Sequence, residues 1–282
     1  MKKILVPCDF SAPSKEAYKF ALEIASISKG EIYVAHHIEL PLIYETTIGL
    51  QTRLVDSEDR KKLSERATQA FKRLRESFYA PANTEVHFEM IDDFLLPGIP
   101  TFISEHNIDL VVMGTSGSSG LEEFFIGSNT EKIVRYSPVP VIAVKKASGY
   151  GAIQNIVFPT DLDLNQSDLL AHVVELQNFF KAKLHILTVA TPSHFRTDEE
   201  ADEALTDFAR HYRLKNYTLN FRSDYNERDG ILNFAKEIQA KMIALGTHSN
   251  KGLKHLVSGS IAESVVNHLE CSVWTYSIGK NK

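Results

Sequence analysis

Cysteine is scarce in this chain. Its 282 residues include two, Cys8 and Cys271, with no CxxC spacing and no Cys/His grouping around them. That excludes a disulfide scaffold and a finger-type structural zinc site, and it fits a reducing cytoplasm. Long apolar runs are missing as well. None approaches the roughly 18 residues a membrane helix needs, and the run before Asp9 is shorter than the about 7–15-residue core of a secretory signal. A surplus of positive charge is also absent: 31 Lys and Arg face 36 Asp and Glu, for a formal net charge of −5. This argues against nucleic acid as the main partner. There is no GxxxxGKS/T phosphate loop, no dinucleotide fingerprint after the first strand, where "PCDFSAPS" stands, and no Ser/His/Asp triad that can be placed.

What is present points to a globular chain, 43% hydrophobic and 24% charged, long enough for two domains. The sequence repeats. Ile4, Val6, Pro7 and Asp9 of "KKILVPCDFS" fall on Ile156, Phe158, Pro159 and Asp161 of "QNIVFPTDLD", an offset of 152. Gly114, Thr115, Leu121, Gly127 and Ser128 fall on Gly246, Thr247, Leu253, Gly259 and Ser260, an offset of 132. The first half therefore carries an insert of 20 residues, within about 40–80 and after its second strand. A period this long matches duplicated domains, not a solenoid. The expected domains are 1–147 and 152–282, joined by the small-residue linker "KKASGYGAIQ" (145–154).

Each half alternates strand and helix. In the first, "KILVPC", "EIYVAHHI", "TEVHFEMI", "DLVVMG" and "VPVIAV" read as buried strands. Between them lie helices, the first running from Ser11 to a stop at Gly30 and the second across the charged segment 56–76, read as a solvated face. The second half reads "NIVFPT", "SDLLAHVVELQNFFKA", "KLHILTV", "YTLNFRS", "GILNFAKEIQA", "KMIALG", "SIAESVVNHLE" and "CSVWTYS". The expected fold class is α/β, with two tandem five-stranded parallel-sheet sandwiches. Each half ends in an apolar edge strand, so the halves are expected to pair as an intrachain pseudo-dimer. Ligands in such sheets sit at the carboxyl ends of the strands, where Asp9, His37 and Gly114 would meet.

The stretch "GTSGSSGLEEFFIGS" (114–128) lies between a strand and a helix. Glycine lets a ligand approach the backbone. The free N–H groups of Ser128 and Asn129 at the helix start favour an anion. On spacing alone, the same residues also suit a surface loop with a Ser N-cap.

GxxG, nine residues, then G(S/T), after the fourth strand of a five-stranded α/β domain, resembles the ATP-binding motif of the universal stress protein family. Gly114, Gly117, Gly127 and Ser128 match it, and "ILVPCDFS" is similar to that family's first strand. The resemblance spans nearly the whole chain as two tandem domains. It implies strand order 3-2-1-4-5 and ATP or another adenine nucleotide held across the sheet, and the triphosphate's charge beside a loop without basic residues calls for Mg²⁺. It places Pro7 and Asp9 at the adenosine end, His37 where a backbone reads the adenine edge, and Gly114, Gly117, Gly127, Ser128 and Asn129 at the phosphates. In the second half Asp161, Val189, Gly246, Gly259 and Ser260 keep the pattern, but Ser249 stands where Gly117 does. The first loop has no Lys or Arg and carries Glu122 and Glu123, whereas the second has His248, Lys251, Lys254 and His255. Glycine geometry favours the first site and side-chain charge the second; geometry decides here, because metal can supply missing charge.

Other features read as structure. His36 and His37 are adjacent on a strand and so face opposite sides, one core and one pocket-lining. Cys8 reads as a small buried strand-end residue, and Trp274 and Tyr276 as core or interface. No metal site is expected within the protein itself. The expected function is a cytoplasmic, ATP-binding stress protein acting as sensor or regulator. No general base is positioned beside the phosphates, so at most slow hydrolysis is expected. A slow ATPase that switches a partner, and a nucleotide-free interaction protein, are the alternatives. A further homodimer and a protein partner are open, and no membrane contact is expected.

Overall fold

The computed structural model describes residues 1–38, 57–91, 95–115, 128–248 and 271–278. In chain order the first half contains β1 (Lys3–Pro7), α1 (Ala12–Ser28), β2 (Glu31–His37), α2 (Ser57–Ser77), β3 (Val86–Ile91), α3 (Leu95–His106), β4 (Leu110–Gly114), α4 (Ser128–Tyr136) and β5 (Val141–Val144). A single 3-10 turn, Tyr150–Ala152, sits in the linker. The second half contains β6 (Asn155–Pro159), α5 (Ser167–Phe180), β7 (Lys183–Ala190), α6 (Asp198–His211), β8 (Tyr217–Ser223), α7 (Glu227–Glu237), β9 (Met242–His248) and β10 (Ser272–Ile278). The insert after β2 lies largely outside the described residues, as does the expected helix "SIAESVVNHLE".

The strands form one ten-stranded sheet in the order β3-β2-β1-β4-β5-β10-β9-β6-β7-β8. Each half has the order 3-2-1-4-5, and the second is the reverse of the first across the sheet. Within each half the strand pairs are parallel. At the join, β10 runs antiparallel to β5 through Val273–Ala143, Trp274–Ile142 and Thr275–Val141. The two apolar edge strands thus cover one another, and the chain is an intrachain pseudo-dimer. Helices cover both faces, which is why β1 is apolar on consecutive residues: Ile4, Leu5 and Val6 are all fully buried.

The core crosses the join. One apolar cluster runs under α1, α2, α5 and α6, from Ile4 and Phe20 of the first half to Phe180 and Phe208 of the second. Phe20 and Phe180 stack at 6.3 Å with 3° between their planes. Two smaller clusters fill the opposite face, one beneath α3 and α4 and one beneath α7. The charged helix α2 buries Ala67, Phe71 and Leu74, an i, i+4, i+7 stripe, and leaves the rest to water.

Two local features differ from the expectations. Helix α6 stands in a segment where no element was expected. Its N-cap Thr197 forms a capping box with Glu200, and it buries Ala201, Leu205, Phe208 and Ala209. The stop of α1 is Lys29, left-handed at φ 52°, not Gly30. Gly30 serves close approach instead: a Cβ there would lie 2.5 Å from the Lys2 carbonyl oxygen. The linker is pinned as well. Glu16 and Glu23 accept the Ala147 and Tyr150 N–H groups at 2.9 and 2.6 Å, and the Tyr150 ring packs 5.2 Å from that of Phe180.

Candidate functional site

In the first half the strand order reverses between β1 and β4, because β2 and β3 lie to one side of β1 and β4 and β5 to the other. Connections leave the two strands in opposite directions and open a crevice at their carboxyl ends. The structure brings Pro7, Asp9, His37 and Gly114 to this end, together with the start of α4.

At the end of β1, Cys8 donates its N–H to the Ala35 carbonyl at 2.9 Å. Phe10 then turns left-handed at φ 63°, a conformation that costs an ordinary side chain about 1–2 kcal/mol. The turn folds Asp9 back over the helix start. Its Oδ1 accepts the Ser11 N–H at 3.0 Å and the Ser11 hydroxyl at 2.5 Å, while Ser11 caps α1. Asp9 is exposed and Pro7 half-buried. His36 crosses this strand end, with Nδ1–H donating to the Cys8 carbonyl at 2.8 Å and its ring 4.9 Å from Phe10. That bond keeps a proton on Nδ1 and turns Nε2 away from the Cys8 carbonyl. Both His36 and His37 are half-buried, so neither is the core residue expected of the pair. Burial pushes the Cys8 thiol pKa up, with a weak contact to Ser14 at 3.5 Å acting the other way. Cys8 is therefore a buried, unreactive strand-end residue.

Gly114 is not left-handed. A Cβ at this position would stand 2.6 Å from the Pro13 carbonyl carbon, so glycine here lets the first turn of α1 close onto β4. The Gly114 carbonyl accepts the Thr130 hydroxyl at 2.8 Å, which fixes the first turn of α4 beside the end of β4. The backbone N–H groups of Ser128 and Asn129 belong to that first turn and have no partner inside the helix. The Thr115 hydroxyl, at the same strand end, is buried with no hydrogen-bond partner among the described residues. Gly117 and Gly127 lie outside the described residues.

The second half reproduces the turn. Leu162 is left-handed at φ 68°, and Asp161 Oδ1 accepts the Asp163 N–H at 3.2 Å and the Gln166 amide at 3.3 Å. Gly246 again serves packing, with a Cβ there 2.7 Å from Leu169. The Val189 side chain is buried and would touch a Cβ at Gly230 at 2.6 Å, so Val189 is core beneath α7. Ser249, Gly259 and Ser260 lie outside the described residues, as do the charged residues of both glycine loops except His248, which ends β9.

The halves differ beside the glycine strand. Val144 pairs with Gly114 in the first half, whereas Tyr276 pairs with Gly246 in the second. The Tyr276 hydroxyl donates to Asp168 at 2.5 Å, and His172 stacks on its ring at 4.1 Å. Burial and the Asp168 carboxylate push the Tyr276 pKa up to about 12. The sequence reading missed this group, the His36 anchor and the two left-handed residues. The one signal for the last was the matching "DFS" and "DLD" after each first strand.

Among the described residues no helix is long and apolar enough to cross a membrane. Comparison with known proteins agrees with the duplicated fold. The model of the universal stress protein family matches residues 1–145 and again 152–277. A universal stress protein of Methanocaldococcus jannaschii is 31% identical over 145 residues, covering 51% of this chain and 82% of that protein. One of Synechocystis sp. is 22% identical over 98% of this chain and 100% of its own length. The crystal structure of a universal stress protein from Archaeoglobus fulgidus superposes with a TM-score of 0.70 at 20% identity, over 98% of each chain. With both halves matched in sequence and joined in one sheet, the chain belongs to the universal stress protein family as a tandem two-domain member.

Proposed function

We propose that the first half binds an adenine nucleotide, ATP with Mg²⁺, at the carboxyl ends of β1, β2 and β4, and that the protein acts as a cytoplasmic sensor or regulator. The observation that carries this reading is the convergence of Asp9, His37, Gly114 and the first turn of α4 at one strand-order reversal. The Asp9 end suits the ribose hydroxyls and the β2 end the base. The α4 N–H groups suit a phosphate, and the Thr115 hydroxyl, unpartnered among the described residues, adds a polar group at the same strand end. Gly114 through Ser128 carries no Lys or Arg, so the triphosphate charge there calls for a metal ion. The second half, with Ser249 in the place of Gly117 and the Tyr276–Asp168 pair beside Gly246, would hold nucleotide more weakly or differently.

The test is to denature freshly purified protein, identify any released nucleotide by chromatography, and titrate the stripped protein with ATP and Mg²⁺ by calorimetry. At least one site is expected per chain, lost in Gly117→Val and Gly127→Val and weakened by EDTA. Undiminished binding in both variants would overturn the assignment. Phosphate release during the same incubation would favour the slow ATPase over the pure sensor.

A further inference from the structure

We propose that Glu31, Glu85 and His87 bind a divalent cation of the zinc class at the amino-terminal edge of the first half. This site is distinct from the nucleotide crevice. Glu31 opens β2 and His37 closes it, a span of about 20 Å at roughly 3.3 Å per residue.

One oxygen of Glu31, one of Glu85 and Nε2 of His87 all lie within 4.8 Å of one another. His87 Nε2 is 3.1 Å from Glu31 Oε2 and 3.8 Å from Glu85 Oε2. Ligands at about 2.0–2.1 Å in tetrahedral geometry stand about 3.4 Å apart, so the two distances to His87 bracket that edge, and the two carboxylate oxygens, within 4.8 Å of each other, would close on the ion. One imidazole nitrogen with two carboxylate oxygens suits zinc and its neighbours; magnesium and calcium prefer all-oxygen sets of six or more.

The backbone and neighbours hold the three groups in place. Glu31 and His87 lie on the paired strands β2 and β3, and the Ile32 N–H donates to the Glu85 carbonyl at 2.9 Å. The Tyr33 ring stacks on His87 at 4.7 Å, and the Tyr33 hydroxyl donates to Glu31 at 3.3 Å. Lys3 contacts the other Glu31 oxygen, Oε1, at 3.3 Å, so Lys3 and Tyr33 together orient the carboxylate, and Oε2, which accepts from Tyr33 and faces His87 Nε2, keeps a lone pair for the cation. Two carboxylates against one ammonium leave a net negative site when His87 is neutral. The cation would replace any proton on Nε2 and release it to solvent. With three protein ligands the fourth position is left to water. Since β3 is an edge strand held on one side only, the bound ion would staple it to β2.

The test uses the full chain, stripped of metal and nucleotide, titrated with Zn²⁺ by calorimetry and with Co²⁺ by visible absorption. One Zn²⁺ site is expected, with the strong visible bands of tetrahedral Co²⁺ and a rise in melting temperature on Zn²⁺ addition. Glu85→Gln and His87→Phe should each weaken Zn²⁺ more than about 100-fold, beyond the roughly 10–100-fold loss from removing an outer-shell partner. Glu85 is 80% exposed, so its variant keeps the fold even if His87→Phe does not. His211→Phe, on the exposed end of α6, should change nothing. Unchanged Zn²⁺ affinity in Glu85→Gln, or no uptake by the wild type, would overturn the site.

Discussion

His185 is a histidine whose protonation the fold opposes. It lies on β7 beneath α7, 9% exposed, with Nε2 3.0 Å from Asn155 Oδ1 and Nδ1 2.8 Å from the Thr218 hydroxyl. The amide oxygen can only accept, so Nε2 carries the proton and Nδ1 accepts from Thr218. A second proton would break the Thr218 bond. Burial, and then the nearby Lys183 charge, hold its pKa below the ordinary value. The unfolded chain therefore takes up the proton first. Stability is complete above about pH 6.5 and falls as pH drops from there through the folded pKa. Urea midpoints measured down this range should decline in the wild type and decline less in His185→Gln. Equal slopes in the two proteins would show that His185 does not carry the effect.

At the scale of elements, the helix ends are where residue type and backbone conformation disagree most. Helices α1 and α5 both stop on a left-handed lysine, Lys29 and Lys181, each at φ 52°. The next N–H bonds back to Ala25 and Gln177 at 2.9 and 3.1 Å. Both lysines are exposed. Glycine removes the Cβ penalty at such a position, so Lys29→Gly and Lys181→Gly should each stabilise the protein by about 1 kcal/mol in urea unfolding. A loss of stability in both would refute the account.

The same ends explain what could be read beforehand. The apolar runs of β1, β4, β6 and β9 recur with the duplication, so the strands were legible; their order followed from the family resemblance, and the pairing of the halves from their apolar edge strands. Helix α6 was legible in principle, since Thr197 and Glu200 spell a capping box and its buried residues follow helical spacing. Its acidic face hid it. The left-handed Lys29, Phe10 and Leu162 were not legible, because nothing in a lysine, phenylalanine or leucine asks for that conformation. It is imposed by the strand on one side and the helix on the other. Within the site, the sequence marked Asp9, His37 and Gly114 at one strand end, but His36 reaching back to Cys8 and Pro13 pressing on Gly114 are tertiary contacts without a local signal.

For the whole molecule, the decisive feature is the β5–β10 join with the shared core beneath it. Cutting the chain in the linker would expose two apolar strand edges and strip Phe20 and Phe180 of each other. Fragments 1–147 and 152–282, expressed separately, should therefore self-associate or aggregate, and co-expression should recover a soluble pair. Light scattering that found two well-behaved monomers would sink this. The structure also contains its own optical gauge of that event. The single tryptophan, Trp274, lies 1% exposed on β10, opposite Ile142 of β5. Its emission is blind to the outer rims of both halves and reports on the middle of the sheet, so a red shift during unfolding dates the moment at which the two halves let water between them.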